Sequence, residues 1–253
     1  KLNLPYPEEK ATAKLNNFIA IEAELSEQDL GYQPWFLYSQ RLLAEMLSGY
    51  NPDCTRPKHG PGAVAGGERH NAKWSWTDLF ESVHAEFPYW DYMYPVRSAI
   101  GDGSGRSYPL QLAACAGNYR SLRRVKEPTA RLLMVPKDSR GPRIISCEPK
   151  ELMYLQQGVA LPLMDYIERH EYTRGHVNFE RQDINASLAL ESSLSQARDT
   201  IDLSDASDRV SAKLVSLLFP ERVSRKWLAL RSTATLLPDG RELRMSKFAP
   251  MGS

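Results

Sequence analysis

At 253 residues, with 42% hydrophobic and 25% charged side chains, the chain has the make-up of a folded globular protein, which excludes a disordered tail, a collagen-like rod and a low-complexity linker. A chain of this length buries roughly 70–75% of its unfolded surface, so its stability requires no covalent or metal staples. Its 32 basic and 31 acidic residues nearly cancel, so total charge carries no information about nucleic acid, and no apolar run approaches the ~20 residues that cross a bilayer.

Residues 1–50 read as helical, with Trp35, Phe36, Leu42, Leu43, Met46 and Leu47 on one apolar face. From Asn51 to Asn71 the breakers Pro52, Pro57, Gly60, Pro61, Gly62, Gly66 and Gly67 are dense enough to force a loop. A short helix is expected over Thr77 to Phe87, with Trp74, Trp76 and Phe80 anchoring it to the core, and a second loop at Gly101-Asp102-Gly103-Ser104-Gly105. Pro149 starts a long helix to about His170, in which Leu152, Leu155, Val159, Leu163 and Ile167 repeat at helical spacing and Pro162 is a candidate kink. Another helix fits Asp183 to Ala197. Thr200 to Leu203 reads as a short strand feeding a helix over Ala206 to Phe219, whose apolar face holds Val210, Leu214, Leu217 and Leu218. Strands near Ser232–Leu237 and Arg241–Lys247 flank Pro238-Asp239-Gly240, where glycine supplies the positive φ of a hairpin turn. Helices followed by mixed helix and strand predict an α+β fold.

Cys54, Cys115 and Cys147 are odd in number, far apart and in no CxxC pair, so they read as ordinary thiols. His59, His70, His84, His170 and His176 lie in no metal-ligand spacing and read as loop or surface groups. No signal-peptide pattern opens the chain, which is expected to be cytosolic. A start at Lys1 without methionine, and a stop at Ser253 directly after a strand-like stretch, give the expectation of a fragment of a longer protein.

Two segments could carry chemistry. In Ile201-Asp202-Leu203-Ser204-Asp205-Ala206-Ser207-Asp208 three carboxylates fall in seven positions where an apolar strand is expected to become a helix. Asp205 and Asp208 have a plain reading as a helix N-cap with a second acid in the first turn. Asp202, between Ile201 and Leu203, is expected to be buried, and a divalent ion would compensate a buried carboxylate. Magnesium needs only one or two protein carboxylates, but phosphatases and phosphotransferases also place an aspartate at a strand end. The second segment is basic: between positions 120 and 143 stand Arg120, Arg123, Arg124, Lys126, Arg131, Lys137, Arg140 and Arg143, against Glu127 and Asp138 alone. Pro136, Gly141 and Pro142 favour an extended or hairpin presentation of Lys137, Arg140 and Arg143, which suits a triphosphate because guanidinium forks grip phosphate oxygens. The plain alternative is a solvated run of surface charge.

Val135-Pro136-Lys137 through Arg143 to Glu148-Pro149, then Asp183-Ile184-Asn185, then Asp202-Leu203-Ser204 with Ala206-Ser207-Asp208, then Leu237-Pro238-Asp239-Gly240 and finally Met251-Gly252 occur in this order. Together they resemble the replicase subunit of the single-stranded RNA bacteriophages, an RNA-directed RNA polymerase. The likeness covers about Arg131 to Ser253, with a weaker one in the loop Lys58-His59-Gly60-Pro61-Gly62-Ala63. It implies a right-hand polymerase, with helical and finger elements over 1–115, fingers with the basic channel segment over 116–200 and the start of the palm over 201–253.

The resemblance also implies roles. Lys137, Arg140 and Arg143 match the basic finger segment of the nucleotide channel. Asp202 matches the first catalytic aspartate, a ligand of two Mg2+ ions, for which Mn2+ is the substitute. Asp208 matches the acid that senses the ribose 2′-hydroxyl of the incoming nucleotide. Gly252 and Ser253 match the start of the next palm motif, which contacts template and sugar, so that Ser253 is a nucleotide-binding and Gly252 an RNA-binding candidate. Lys58, Arg123 and Arg124 are further RNA-binding candidates. The implied partners are RNA template and product, nucleoside triphosphates and host translation elongation factors, in the cytoplasm of an infected bacterium. The Gly-Asp-Asp hairpin of the family, with its remaining magnesium ligands, does not occur here, nor does a thumb, so the chain is expected to be the amino-terminal half of a polymerase and inactive alone. Two other readings stay open: an RNA-binding module without catalysis, and a magnesium-dependent phosphotransferase built on Asp202, which the lack of a phosphate-cradling glycine loop beside that strand disfavours.

Overall fold

The computed structural model describes residues 7–93, 116–138 and 141–252. Arg140, Ser253, Cys115 and the 101–105 loop lie outside the described residues.

Helix α1 (Glu8–Glu27) carries Glu8 and Glu9 in its first turn, where the helix dipole favours negative charge, and buries Phe18, Ile21, Glu22 and Leu25 on one stripe. Helix α2 (Pro34–Met46) follows with proline at its first turn. The 51–69 stretch is irregular, as its breakers require. In place of the helix expected over 77–87, β1 (Asp78–Phe80) and a four-residue α3 (Glu81–His84) form, because β1 pairs in parallel with β2 (Arg123–Val125). Next come β3 (Thr129–Asp138), β4 (Gly141–Cys147), α4 (Lys150–Arg169), α5 (Gln182–Ser195), α6 (Ala212–Leu218), α7 (Glu221–Ala229), β5 (Ala234–Leu236) and β6 (Glu242–Arg244). The fold is α+β.

The main sheet has the order β4-β3-β5-β6. β3 and β4 form the expected hairpin, β5 and β6 the second one across Pro238-Asp239-Gly240, with Gly240 at φ +86°, and β3 runs parallel to β5. Alternation along β3 sends Leu132 and, on β4, Ile144 to one face, where α1 covers them with Phe18, Leu15 and Ile19. The opposite face carries Arg131, Leu133 and Val135, with Arg143 paired to Val135.

Helix α4 supplies Leu152, Tyr154, Leu155 and Val159 to the largest core cluster, against Leu79, Phe80, Val83 and Phe87. It runs continuously through Pro162. Proline has no N–H, so the carbonyl of Gly158, four residues earlier, loses its helical donor. The backbone N–H of Arg56 takes that place at 2.9 Å, and the bare Cα of Gly158 lets Pro57 approach. This helical irregularity thus seats the Arg56-Pro57 start of the glycine-proline loop.

Several expectations need correction. Thr200 to Leu203 is not a strand: Ile201 is 81% and Leu203 71% exposed, because the segment has no backbone ladder partner among the described residues. The helix expected over 206–219 is divided into a 3-10 turn at Ser207–Arg209 and α6, since Val210 is drawn out of helical geometry by backbone bonds to the 246–248 segment, Phe248 N–H to Val210 O at 2.7 Å and Ala212 N–H to Ser246 O at 2.8 Å. Ser211, not Asp205, caps α6, its Oγ accepting from the Leu214 N–H at 3.1 Å, and Asp205 has a positive φ of 54°. On α2, Trp35 and Leu42 are exposed rather than core, and Trp74 is 53% exposed, whereas Trp76 and Phe80 pack into the core as expected. Among the described residues no helix is long and apolar enough to cross a membrane.

Candidate nucleotide and RNA interface

The hairpin β3–β4 presents the basic segment on a rigid ladder. Arg143 and Lys137 are exposed, and Arg143 lies on the sheet face that α1 leaves uncovered. Two residues further along β4, Ile145 and Ser146 form a seat for the 251–252 turn. The Ser146 N–H donates to the Met251 carbonyl at 2.8 Å, and Gly252, at φ +102°, packs on Ser146. The Met251 N–H in turn reaches Asp208 Oδ1 at 3.4 Å. Arg143, Gly252 and Asp208, which are far apart in the chain, are therefore connected through one strand and one turn.

Asp208 is half-buried, and burial pushes its carboxyl above the usual aspartate range, with Lys247 and the Met251 N–H acting against the shift. Lys247 has no exposed surface, and burial pulls its ammonium below the ordinary lysine value against the pull of Glu22. Its Nζ donates to Glu22 Oε2 at 2.9 Å and to the Phe18 carbonyl at 2.7 Å. The other Glu22 oxygen accepts the N–H groups of Ser246 and Lys247.

Asp202 behaves differently from the expectation. It is exposed, in irregular chain, so burial gives no argument for a cation there. Its carboxylate has no hydrogen-bond or ion-pair partner among the described residues. Both oxygens are free to meet a hard divalent ion, which can complete its shell with water and phosphate oxygens, so Asp202 fits one corner of such a site. Glu22 does not, its oxygens being occupied. Among the described residues no three His, Cys, Asp or Glu side chains gather into a metal cluster. Asp205 Oδ2 accepts from Asn17 Nδ2 at 3.3 Å.

The remaining candidates fall elsewhere. Arg123 is paired to Asp78 at 2.7 Å across β1 and β2, and Arg124 lies over the Tyr119 ring at 4.5 Å. Both belong to the two-stranded sheet rather than to the hairpin. Lys58 is exposed on the glycine-proline loop. That loop borders a cavity of about 660 Å³, lined also by Lys73, Trp74, Arg131 and Leu133. Buried Lys73 braces it from below, its Nζ donating to the carbonyls of Gly60 at 2.8 Å and of Gly62. His59 packs edge-on to Trp74 at 4.7 Å, and burial lowers its pKa, aided by Lys73 and Lys150.

Sequence reading did not reach Glu22 or Lys247, which are 225 residues apart. One signal was present: Glu22 sits inside the apolar stripe Phe18, Ile21, Leu25, where a carboxylate demands a partner.

Comparison with known proteins agrees with the order of motifs. The family model described as RNA replicase, beta-chain, matches residues 10–253. The chain is 39% identical over 119 residues to the RNA-directed RNA polymerase subunit beta of Enterobacteria phage SP, covering 47% of this chain and 20% of the relative. It is 33% identical over 146 residues to the subunit of the same name from Qbeta virus (strain MX1), covering 58% and 24%. Against the RNA-directed RNA polymerase beta chain of Escherichia phage MS2 it is 34% identical over 119 residues, covering 47% and 21%. The matches thus span about a fifth to a quarter of the length of these relatives. On this evidence the chain belongs to the RNA replicase beta-chain family.

Proposed function

We propose that this chain is part of an RNA-directed RNA polymerase that replicates a phage RNA genome in the cytoplasm of the infected bacterium. The observation that carries the reading is the family match across residues 10–253, together with the polymerase motifs in their order. The fold is read as the fingers and the first part of the palm of a right-hand polymerase, divided as 1–115, 116–200 and 201–253.

The reaction is attack of a 3′-hydroxyl on the α-phosphorus of a nucleoside triphosphate, with pyrophosphate leaving. Lys137, Arg140 and Arg143 hold the triphosphate and offset the charge that builds on its oxygens. Asp208 accepts a hydrogen bond from the ribose 2′-hydroxyl, and Gly252 with Ser253 lies along template and sugar. Asp202 is the residue that would hold magnesium, or manganese in its place, within a two-ion site; the ions, when bound, supply neutralisation of phosphate charge and a lowered pKa of the attacking hydroxyl. Lys58, Arg123 and Arg124 contact RNA phosphates. Base pairing with the template selects the nucleotide, so no base-reading motif is required, and host elongation factors are partners of the whole enzyme.

Template-dependent incorporation of labelled nucleotide by the full-length replicase, with stoichiometric pyrophosphate release, is the test. Release of inorganic phosphate would favour the phosphotransferase instead. The second reading, for residues 1–253 in isolation, is an RNA-binding module without catalysis, favoured by the exposed Lys137 and Arg143 of the β3–β4 hairpin.

A further inference from the structure

We infer that α1 is a positioning helix for the acidic turn at 202–209, acting through the buried Glu22–Lys247 pair, and that it thereby sets how strictly Asp208 selects ribose. The inference rests on the polymerase reading above and assigns a task to a helix that lies outside every motif of that reading.

The turn 202–209 has no regular secondary structure of its own beyond one 3-10 turn, and Leu203 within it and Ile201 before it contribute nothing to a core. Its geometry must therefore be imposed from outside. The C-terminal half of helix α1 does so. Near its middle Asn17 Nδ2 donates to Asp205 at 3.3 Å, and about two turns on Glu24 pairs with Arg209 at 3.1 Å. Past its end, Gln28 Oε1 accepts from Ser211 Oγ at 3.1 Å. These contacts are exposed or partly so, and each alone is weak.

The central contact is of another kind. Glu22 and Lys247 are both buried, and their groups are saturated: Glu22 by Lys247 Nζ and the N–H groups of Ser246 and Lys247, Lys247 also by the Phe18 carbonyl and by the Phe18 ring, 3.9 Å from its Nζ. A pair held this way fixes register, because sliding α1 by one residue strands both charges in an apolar interior. The segment it anchors, 246–248, is the one that bonds Val210 and Ala212 and so holds the 3-10 turn bearing Asp208. Lys247 also faces Asp208 electrostatically, favouring its ionised form. Helix, pair, 246–248 segment and Asp208 form one continuous chain of contacts, and an acceptor for a single ribose hydroxyl has to be held within a fraction of an ångström.

The test uses full-length replicase with Glu22→Gln and Lys247→Met combined, so that neither charge is left buried alone. Template RNA binding is expected to be retained, while the ratio of kcat/KM for ribonucleotide over deoxyribonucleotide falls at least tenfold. A folded, active double variant whose ratio stays within twofold of wild type overturns the inference, since a purely structural pair would alter stability and leave discrimination untouched. If the double variant does not fold, Asn17→Ala with Glu24→Ala, both on exposed contacts, is expected to lower the ratio about threefold, and an unchanged ratio overturns the inference equally. Wild-type replicase without template-directed incorporation would sink the polymerase reading itself, an outcome distinct from either.

Discussion

Gly252 lies against Ser146 so closely that a Cβ on it would come 2.9 Å from the Ser146 carbonyl oxygen, and would overlap the Ile145 side chain. Its φ of +102° disfavours any L side chain independently of that contact. Gly252→Ala is therefore expected to loosen the 251–252 turn from β4 at a cost of about 1–3 kcal/mol. Thermal unfolding of the two chains measures it, and an unchanged melting temperature would show that the turn is not seated on β4.

Gly158→Ala reverses the usual sign of such a change. In an ordinary helix interior alanine is favoured over glycine by roughly 0.5–1 kcal/mol. Here the new methyl would stand 2.8 Å from the Pro57 Cα, a backbone atom that cannot rotate away. A net loss of about 1–3 kcal/mol is expected from overpacking, with faster proteolysis of the 51–69 loop as the accompanying sign. Denaturant unfolding settles the direction.

Asp202→Asn in the full-length enzyme is expected to keep RNA binding and to cut nucleotide incorporation by at least ~10³, about 4 kcal/mol of barrier. The residue is exposed and without partners among the described residues, so its melting temperature should not move. Near-normal synthesis by the variant would remove Asp202 from the reaction.

Arg143→Ala should raise the apparent KM for nucleotides several-fold more than it weakens template binding, because its guanidinium stands on the open face of the hairpin. Equal effects on both quantities would mark the hairpin as a general basic surface whose affinity falls with salt.

Asp208 predicts a trade of stability against selectivity. Its carboxyl is raised in the folded chain by burial, with Asp205 and Glu22 adding to the shift and Lys247 and the Met251 N–H opposing it. A folded pKa above the unfolded one means that its contribution is most favourable below the unfolded value, about 3.9, and is lost as pH rises through the folded value. Asp208→Asn should therefore melt at or above wild type at pH 7, with the difference vanishing near pH 4, while ribose discrimination falls. Paired melting curves at the two pH values check the sign.

Local chemistry makes much of this molecule legible in its sequence. Pro149 and the spacing from Leu152 to Ile167 located α4 to within a residue at each end, and of the extended or hairpin presentation that Pro136, Gly141 and Pro142 favoured, the hairpin forms. These features depend on residues within one or two turns of each other, where side-chain period and backbone restriction act directly. The segment 200–219 failed for the complementary reason. Ile201 and Leu203 have the alternation of a strand, but a strand exists only with a ladder partner, and the bonds that break the following helix at Val210 come from residues 246–248.

The candidate site divides along the same line. Residue order was enough for which side chains carry the charge and the carboxylates, for the α+β character of the chain and, through the succession of its motifs, for the family to which it belongs. Long-range packing is what leaves Asp202 open to solvent, rests Gly252 on the strand bearing Arg143, and brings a glutamate in α1 to Lys247 across 225 residues of chain. Burial is the physical reason: a buried charge requires a partner, but the sequence does not say from where along the chain that partner will be brought.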